Sequence, residues 1–587
     1  MVTSSRVPAP LRQIGTSLSV VTTDEIQARG FNSLFEVLRS QPSVAASNTG
    51  GVGKPTALRI RGEEGFRTKA YIDGIDVSDT SGPQIGPRFE EMPSAGIARV
   101  EILRGPQGLV YGADAGGIVN IITAAPTDGL SGGVAAEMGR YGTEQLSGSL
   151  SGGSDLGDFS LSAVDYETDG FNARTTDTVL RDDDGYSNTT VHGRLGWNVS
   201  DRLRLEGVIR DTDSEGEYDA CFTTDTFAPS DRCVTEFEQQ AWRLAASYEH
   251  GAFEHELAYS GNDTERQDFT EGRPSFGSQG ELELYSYLGR YSPGPALGLV
   301  YGVELRTESI DDGTFDRERD QDSVFAEYQG GFGNRLFLTV GARYDDNEDF
   351  GSRDTYRVSA AYLAPMAGGE LKLRGAWGTG FRAPSLYEIA YNSSFGFPPA
   401  SGVGLDAERS EGFDLALGWY GDNGVFLEAV YFDQTVEDEI FFDLLSFSGY
   451  LQDDGSADSR GVELVGEFAF GDSVSLTGNY TYNDTETASG DNRLRRPRHL
   501  ANLALDWRLL GEALVLSAHV RAVADAEGFG GLPLDDYEVI DLSATYRFEG
   551  GLSIYGRVEN LFDEDYEDVP TYNTAGASAF AGLRYSF

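Results

Sequence analysis

From about residue 128 to the final Phe587, apolar and polar residues alternate one by one through segment after segment. In Ile540-Asp541-Leu542-Ser543-Ala544-Thr545-Tyr546-Arg547-Phe548 every even position is apolar and every odd position polar. A strand with one face in lipid and the other toward a wet interior has this pattern. It recurs in 501–509, where Ala501, Leu503, Leu505, Trp507 and Leu509 oppose Asn502, Asp506 and Arg508, and again in 514–522 and 336–344. Each segment has about the nine to eleven residues that a tilted strand needs to cross the hydrocarbon, and stretches rich in Asp, Gly and Asn separate them. A soluble antiparallel sandwich alternates too, but dozens of strands in one domain would leave edges with no cover. A closed transmembrane β-barrel is the expected architecture. No run approaches the roughly 20 apolar residues of a membrane helix, which does not bear on a barrel.

The first 127 residues read differently. In 97–123, Val100, Ile102 and Leu103 form a buried strand, Arg104-Gly105-Pro106 stops it, and Gly116-Gly117 marks a close backbone approach before a second strand at Ile118 to Ile122. Leu58-Arg59-Ile60-Arg61-Gly62 and Tyr71-Ile72-Asp73-Gly74-Ile75 precede them. The ordered set resembles the N-terminal plug of TonB-dependent outer-membrane transporters. That resemblance implies an all-β barrel of about 22 antiparallel strands over 128–587, with an α/β plug domain, 1–127, inside its lumen. The residues after 127 spread over 22 strands at roughly 21 apiece, enough for a strand and its connection. The alternating end, Ala577 to Phe587, resembles the last strand that outer-membrane barrels present for assembly.

The resemblance further implies a monomer in the bacterial outer membrane, surrounded by lipid and lipopolysaccharide. Energy would come from TonB, with ExbB and ExbD, through an N-terminal segment that pairs by strand addition. Val2 and Thr3 are read as the remnant of that segment. Met1-Val2-Thr3-Ser4 runs directly into plug-like sequence, as expected of a chain whose export signal has been removed.

Acidic residues outnumber basic ones 95 to 45, for a formal net charge of −50, and the three lysines are Lys54, Lys69 and Lys372. Nucleic acid would be repelled, so that class of partner is excluded. Most acidic runs read as solvated loops. The 74 glycines, 33 Phe and 29 Tyr suit tight turns and aromatic girdles. Cys221 and Cys233 lie close together in a polar stretch, which suggests a disulfide made in an oxidising compartment; two free thiols are the alternative.

Within the family, the chain is most similar to the vitamin B12 (cobalamin) receptor branch, through Asn560-Leu561-Phe562-Asp563-Glu564-Asp565-Tyr566-Glu567, Thr574-Ala575-Gly576 and, less specifically, Leu494-Arg495-Arg496. Members of that branch carry loop aspartates that bind calcium, and the resemblance points to Asp182, Asp184, Asp219 and Asp231. Calcium takes six to eight oxygens, often from carboxylates on loops. Pairing Cys221 with Cys233 would bring Asp219 and Asp231 together, each two residues before a cysteine. Asn172 stands where relatives have an aspartate. The plug apices implied for substrate contact are 48–54, with Asn48, Thr49, Gly50, Gly51 and Lys54, and 79–85, with Asp79, Ser81 and Gln84; both also read as ordinary flexible turns. Arg61 and Arg104 correspond to plug arginines that pair with barrel acids, and Asp414 and Glu463 are the partners expected here.

A ferric-siderophore receptor is the alternative function, because siderophore receptors share these motifs. Haem receptors resemble Phe381-Arg382-Ala383-Pro384 but add a histidine that 382–405 lacks. A barrel hydrolase would need an activated nucleophile, and no His-Glu-x-x-His motif occurs. A calcium-dependent acidic β-rich adhesin would show a fixed short repeat, which is absent. The chain is thus expected to be no enzyme, to need no catalytic cofactor, and to carry a corrinoid or a ferric siderophore.

Overall fold

The computed structural model describes residues 9–106, 109–112, 116–123, 129–177 and 180–587. Val2 and Thr3, and the junction between 127 and 128, lie outside the described residues.

Twenty-two strands, from Gly129–Gly139 to Ser578–Ser586, form one closed barrel. The last strand pairs antiparallel with the first, Gly139 opposite Phe580 and Gly133 opposite Ser586. Closure gives each strand a neighbour on both sides, so no open edge meets the bilayer, where unpaired backbone polar groups would be costly. The alternation decides which way each side chain points. On the first strand Leu130, Val134 and Met138 are 65, 56 and 67% exposed, while Glu137 beside them is 6% exposed. The wall is apolar outside and charged inside.

Connections at one end are short, such as the two residues between Glu144–Ser154 and Gly157–Phe171, and at the other end long, as between Gly369–Arg382 and Glu408–Gly421. In outer-membrane barrels the short turns face the periplasm and the long loops face outward. The strands are longer than the nine to eleven residues expected from the alternation: Arg273–Gly294 has 22 and Phe253–Thr270 has 18. Ladder hydrogen bonds do not need lipid, so paired strands continue past the hydrocarbon with polar residues on both faces, as in 263–268.

The plug fills the lumen. Its five-stranded sheet runs Leu18–Thr22, Ile97–Arg104, Gly117–Thr123, Thr68–Ile72, Ile75–Asp76. Gly117–Thr123 is antiparallel to Ile97–Arg104 and parallel to Thr68–Ile72. The two glycines before this strand are needed sterically: a Cβ on Gly116 would lie 2.9 Å from the Arg67 carbonyl oxygen, and one on Gly117 2.6 Å from that of Leu103. Helix Thr23–Arg29 starts at a capping box in which Thr22 and Glu25 satisfy each other's backbone N–H, and it ends at Gly30, φ 75°. Val21, Ile26, Leu34, Leu38, Val100 and Ile121 belong to the plug's apolar core. Burial of such side chains contributes about 1.5–3 kcal/mol each, so the plug has a core of its own inside a polar lumen.

Candidate functional site

The plug's apex at 48–56 is a braced turn. Asn48 Oδ1 accepts from the N–H groups of Gly50 (3.1 Å) and Gly51 (2.6 Å), while its Nδ2 donates to the carbonyl of Gly51 (2.8 Å) and to Thr56 Oγ1 (2.9 Å). Asn48 is therefore buried in its own loop and not presented to solvent. The apex glycines face the barrel. A Cβ on Gly53, where φ is 74°, would lie 2.0 Å from the Tyr186 ring, and one on Gly50 2.4 Å from the Ala173 side chain. Gly53→Ala is expected to lift the apex off the wall at a cost of about 1–3 kcal/mol, read as faster proteolysis at 48–56 with the barrel's own melting unchanged.

Lys54 is also buried. Its Nζ donates to the Gly185 carbonyl at 2.8 Å. Burial dominates and lowers its pKa to about 8, against the pull of Asp184, Glu217, Glu91 and Asp219. In the second apex, Asp79 Oδ1 accepts from the N–H (2.8 Å) and hydroxyl (2.6 Å) of Ser81, and Asp79 Oδ2 accepts from Arg88 Nε (2.8 Å). Asn48, Gly50, Lys54, Asp79 and Ser81, expected as ligand contacts, thus have polar groups engaged in holding the loops. Thr49 and Gly51 are half-buried and Gln84 is exposed, so these three keep some surface open.

Beside the first apex stands an acidic cage. Asp177, Asp219 and Asp231 are buried, and one carboxylate oxygen of each lies within 4.8 Å of the others. Neither oxygen of Asp219 has a hydrogen-bond partner among the described residues, and the same is true of Asp177 Oδ1. Burial, reinforced by the charges of Asp184, Asp177, Asp231 and Asp182, pushes the Asp219 carboxyl up to about 8. Three carboxylates converging on one point form an oxygen donor set suited to a hard divalent cation.

The cage is assembled by covalent and polar bracing. Cys221 and Cys233 are disulfide-bonded, Cα to Cα 6.0 Å, and Cys221 pairs with Ser230 across a short two-stranded ribbon. This places Asp219 next to Asp231. Asp184 lies at the base of the cage, where its Oδ2 accepts from the Ala173 N–H at 2.7 Å. Of the four expected aspartates, exposed Asp182 and buried Asp184 lie outside the converging set. Asp182 precedes the strand that begins at Asp184. Asp177, absent from the sequence reading, takes the third place. The one sequence signal toward it is Asn172, whose Nδ2 donates to Asp177 Oδ2.

Deeper in the lumen the plug is fastened by charge. Arg61 Nε donates to Glu463 Oε1 at 2.9 Å and its Nη1 lies 3.5 Å from Asp414 Oδ2. Arg104 Nε lies 3.3 Å from Glu463 Oε2, close enough for attraction though out of hydrogen-bond alignment. Ser43 donates to Glu463 as well, at 2.8 Å, and Arg61 lies over the Phe432 ring. A second junction, which sequence reasoning missed, has Glu408 accepting from plug Arg67 (2.8 Å) and from barrel Arg382 (2.8 Å).

A lumen closed by a charge-fastened plug, in a barrel with long loops at one end, defines a class of gated outer-membrane transporter. The chain belongs to the TonB-dependent receptors: residues 125–561 match the family model "TonB dependent receptor-like, beta-barrel", and residues 10–119 match "TonB-dependent Receptor Plug Domain". It is an outer-membrane transport protein and not an enzyme. Among curated relatives it is 29% identical over 606 residues to the vitamin B12 transporter BtuB of Photobacterium profundum, covering 100% of this chain and 95% of that one. The BtuB of Vibrio cholerae serotype O1 (strain ATCC 39541 / Classical Ogawa 395 / O395) is 24% identical with the same coverage. Among solved structures, a G324V mutant of the ferric enterobactin receptor PfeA of Pseudomonas aeruginosa superposes with a TM-score of 0.81 at 19% identity, covering 97% of this chain and 98% of that one. The siderophore receptor PirA of Acinetobacter baumannii gives 0.81 at 18%, covering 98% and 99%. These two structural likenesses speak to the fold.

Proposed function

We propose that this transporter imports cobalamin or a related corrinoid, with calcium bound in the cage of Asp177, Asp219 and Asp231 ordering the outer loops. The observation that carries this reading is the disulfide-braced cage against the plug apex, in a chain similar over its full length to vitamin B12 transporters. A cation there would neutralise the repulsion that raises Asp219 and would stiffen the 219–233 loop beside Lys54 and Gly185. Thr49, Gly51 and Gln84 would meet the ligand from below. TonB, driven by ExbB and ExbD, would engage the N-terminal segment that includes Val2 and Thr3. The protein would act as a monomer among lipid and lipopolysaccharide.

The test is calorimetric titration of the detergent-purified protein with cyanocobalamin, in calcium and then in chelator. Binding that weakens at least tenfold on chelation is expected. No heat in either condition, from folded protein, would sink the corrinoid assignment.

A ferric siderophore is the second reading, favoured by one feature. Under the second apex a cavity of about 100 Å³ is lined by Arg67, Lys69, Arg306, Arg319, Arg343 and Arg382 against Asp76, Glu304 and Glu308. In a chain of net charge −50, a lining with twice as many cations as anions would attract an anionic ferric complex. Quenching of protein fluorescence by a ferric catecholate separates the two readings.

A further inference from the structure

Two voids between plug and wall meet on the side where the barrel closes. The outer one, about 130 Å³, lies below the first apex and is bordered by Gly50, Gly51, Tyr141 and Phe171. The inner one, about 270 Å³, lies among the first three barrel strands, helix Thr23–Arg29 and the last strand. Phe31 and Asn32 of the plug border both.

Between the voids stands a buried cross-piece. Arg557, on the outer void, forms an ion pair with Glu137, on the inner one, and both are about 95% buried, at 5 and 6% exposure. Arg557 Nε also donates to Glu559 at 2.7 Å, and its guanidinium lies 4.0 Å from the centre of the Phe580 ring. The plug touches this pair through a neutral group, Asn32 Nδ2, which donates to Glu137 Oε1 at 2.8 Å.

Below the cross-piece the wall is unusually bare. Its inward positions on the first three strands include Gly133, Ala135, Ser147, Ser149, Ser160 and Ser162, with Gln145 and Val164 the larger side chains among them. Around the outer void the plug is tied by Arg39 to Asp568 and by Glu36 to Arg521, and deeper in the lumen by Arg61 and Arg67. Moving Arg61 or Arg67 away from the wall leaves a carboxylate buried with one partner fewer, whereas moving Asn32 breaks one neutral hydrogen bond and leaves Glu137 and Arg557 paired. At the latch itself, displacement of the plug therefore breaks one neutral hydrogen bond, and the bare wall below converts a small displacement into open width.

We propose that this side is the route by which a solute passes between plug and barrel, and that Asn32, Glu137 and Arg557 are its latch. The lane runs from the first apex, past the latch, to the serine-lined void at the periplasmic end. Below the latch its lining mixes small polar groups with apolar ones and is uncharged save for Arg584, a surface that a large hydrated solute can slide along without being held by charge.

The test uses the intact chain in liposomes, with arabinose influx as the readout, so it does not depend on which ligand is carried. Glu137→Gln with Arg557→Gln is expected to raise influx at least tenfold, and adding Ser149→Trp to that background is expected to return it to the parental level. The control pair, Glu327→Gln with Arg357→Gln, loosens another buried contact region and is expected to leave influx unchanged. Should the latch double variant fail to fold, judged by heat-modifiable gel mobility, Asn32→Ala, which spares the ion pair, carries the same comparison. No rise in influx, a rise that Ser149→Trp does not suppress, or an equal rise in the control pair overturns the proposal.

Discussion

Replacing Glu463 with alanine is expected to weaken the seating of the plug by about 3–5 kcal/mol, because it leaves buried cations without their partner. Arg61 and Arg104 both reach Glu463, one on each carboxylate oxygen, and Ser43 donates to it as well. After the substitution Arg61 keeps Asp414 at 3.5 Å and Arg104 keeps its contact with Ser19. The corresponding change at Asp414 is expected to cost less, since Arg374 retains Glu428 at 2.7 Å and Arg61 retains Glu463. The measurement is limited proteolysis of the plug along a urea series, with barrel integrity followed separately. Glu463→Gln, which still accepts hydrogen bonds but carries no charge, should fall between parent and alanine. If the alanine variant releases its plug at the parental urea concentration, charge does not hold the plug at this junction.

The second large effect concerns the cage and depends on pH. The Asp219 carboxyl is raised from 3.8 to about 8, chiefly by burial and then by the surrounding carboxylates. Between those two values the folded loop holds a proton that the unfolded loop has released. Stability of the cation-free loop is therefore greatest below about pH 4 and falls as pH rises through 8. Calcium reverses the trend, because it must displace that proton: its affinity is expected to climb about tenfold per pH unit up to about pH 8 and then level off. Asp219→Asn should leave only the weaker dependence below about pH 6 that Asp184 supplies, and lower calcium affinity at least tenfold. Hydrogen exchange across 219–233 at pH 5 and pH 9, with and without calcium, reads all three. Protection that rises with pH in the absence of calcium would contradict the burial of Asp219 as an unpaired carboxyl.

How far the sequence could be read depended on the range over which each contact acts. Alternation with a period of two is a local property, dictated by lipid on one side and lumen on the other, so the strands at 336–347, 499–509, 514–524 and 537–547 are legible one residue at a time. Their full lengths are not, because pairing with a neighbour, rather than hydrophobicity, sets where a strand ends. Gly116 and Gly117 announced a close approach, and the structure shows carbonyl oxygens where their side chains would be.

At the candidate site, short-range pairs such as Cys221 with Cys233 and the aspartates beside them could be anticipated from spacing and resemblance, and Arg61, Arg104, Asp414 and Glu463 from the motifs that contain them. Asp177 could not, because its place in the cage depends on two loops folding against each other. Asn48 and Lys54 look like free polar groups in a glycine-rich turn, yet the barrel wall 131 residues further on takes up the lysine, and the turn itself takes up the asparagine. The latch of Asn32, Glu137 and Arg557 draws on positions 32, 137 and 557, and nothing local in the sequence links them. The sequence alone determined the barrel and the direction in which its side chains point, since those follow from solvent on either side of a strand, and its motifs pointed to the plug by resemblance. Tertiary structure alone decided which charges meet, which loop groups remain free and where the plug fits loosely, since those follow from distances between segments far apart in the chain.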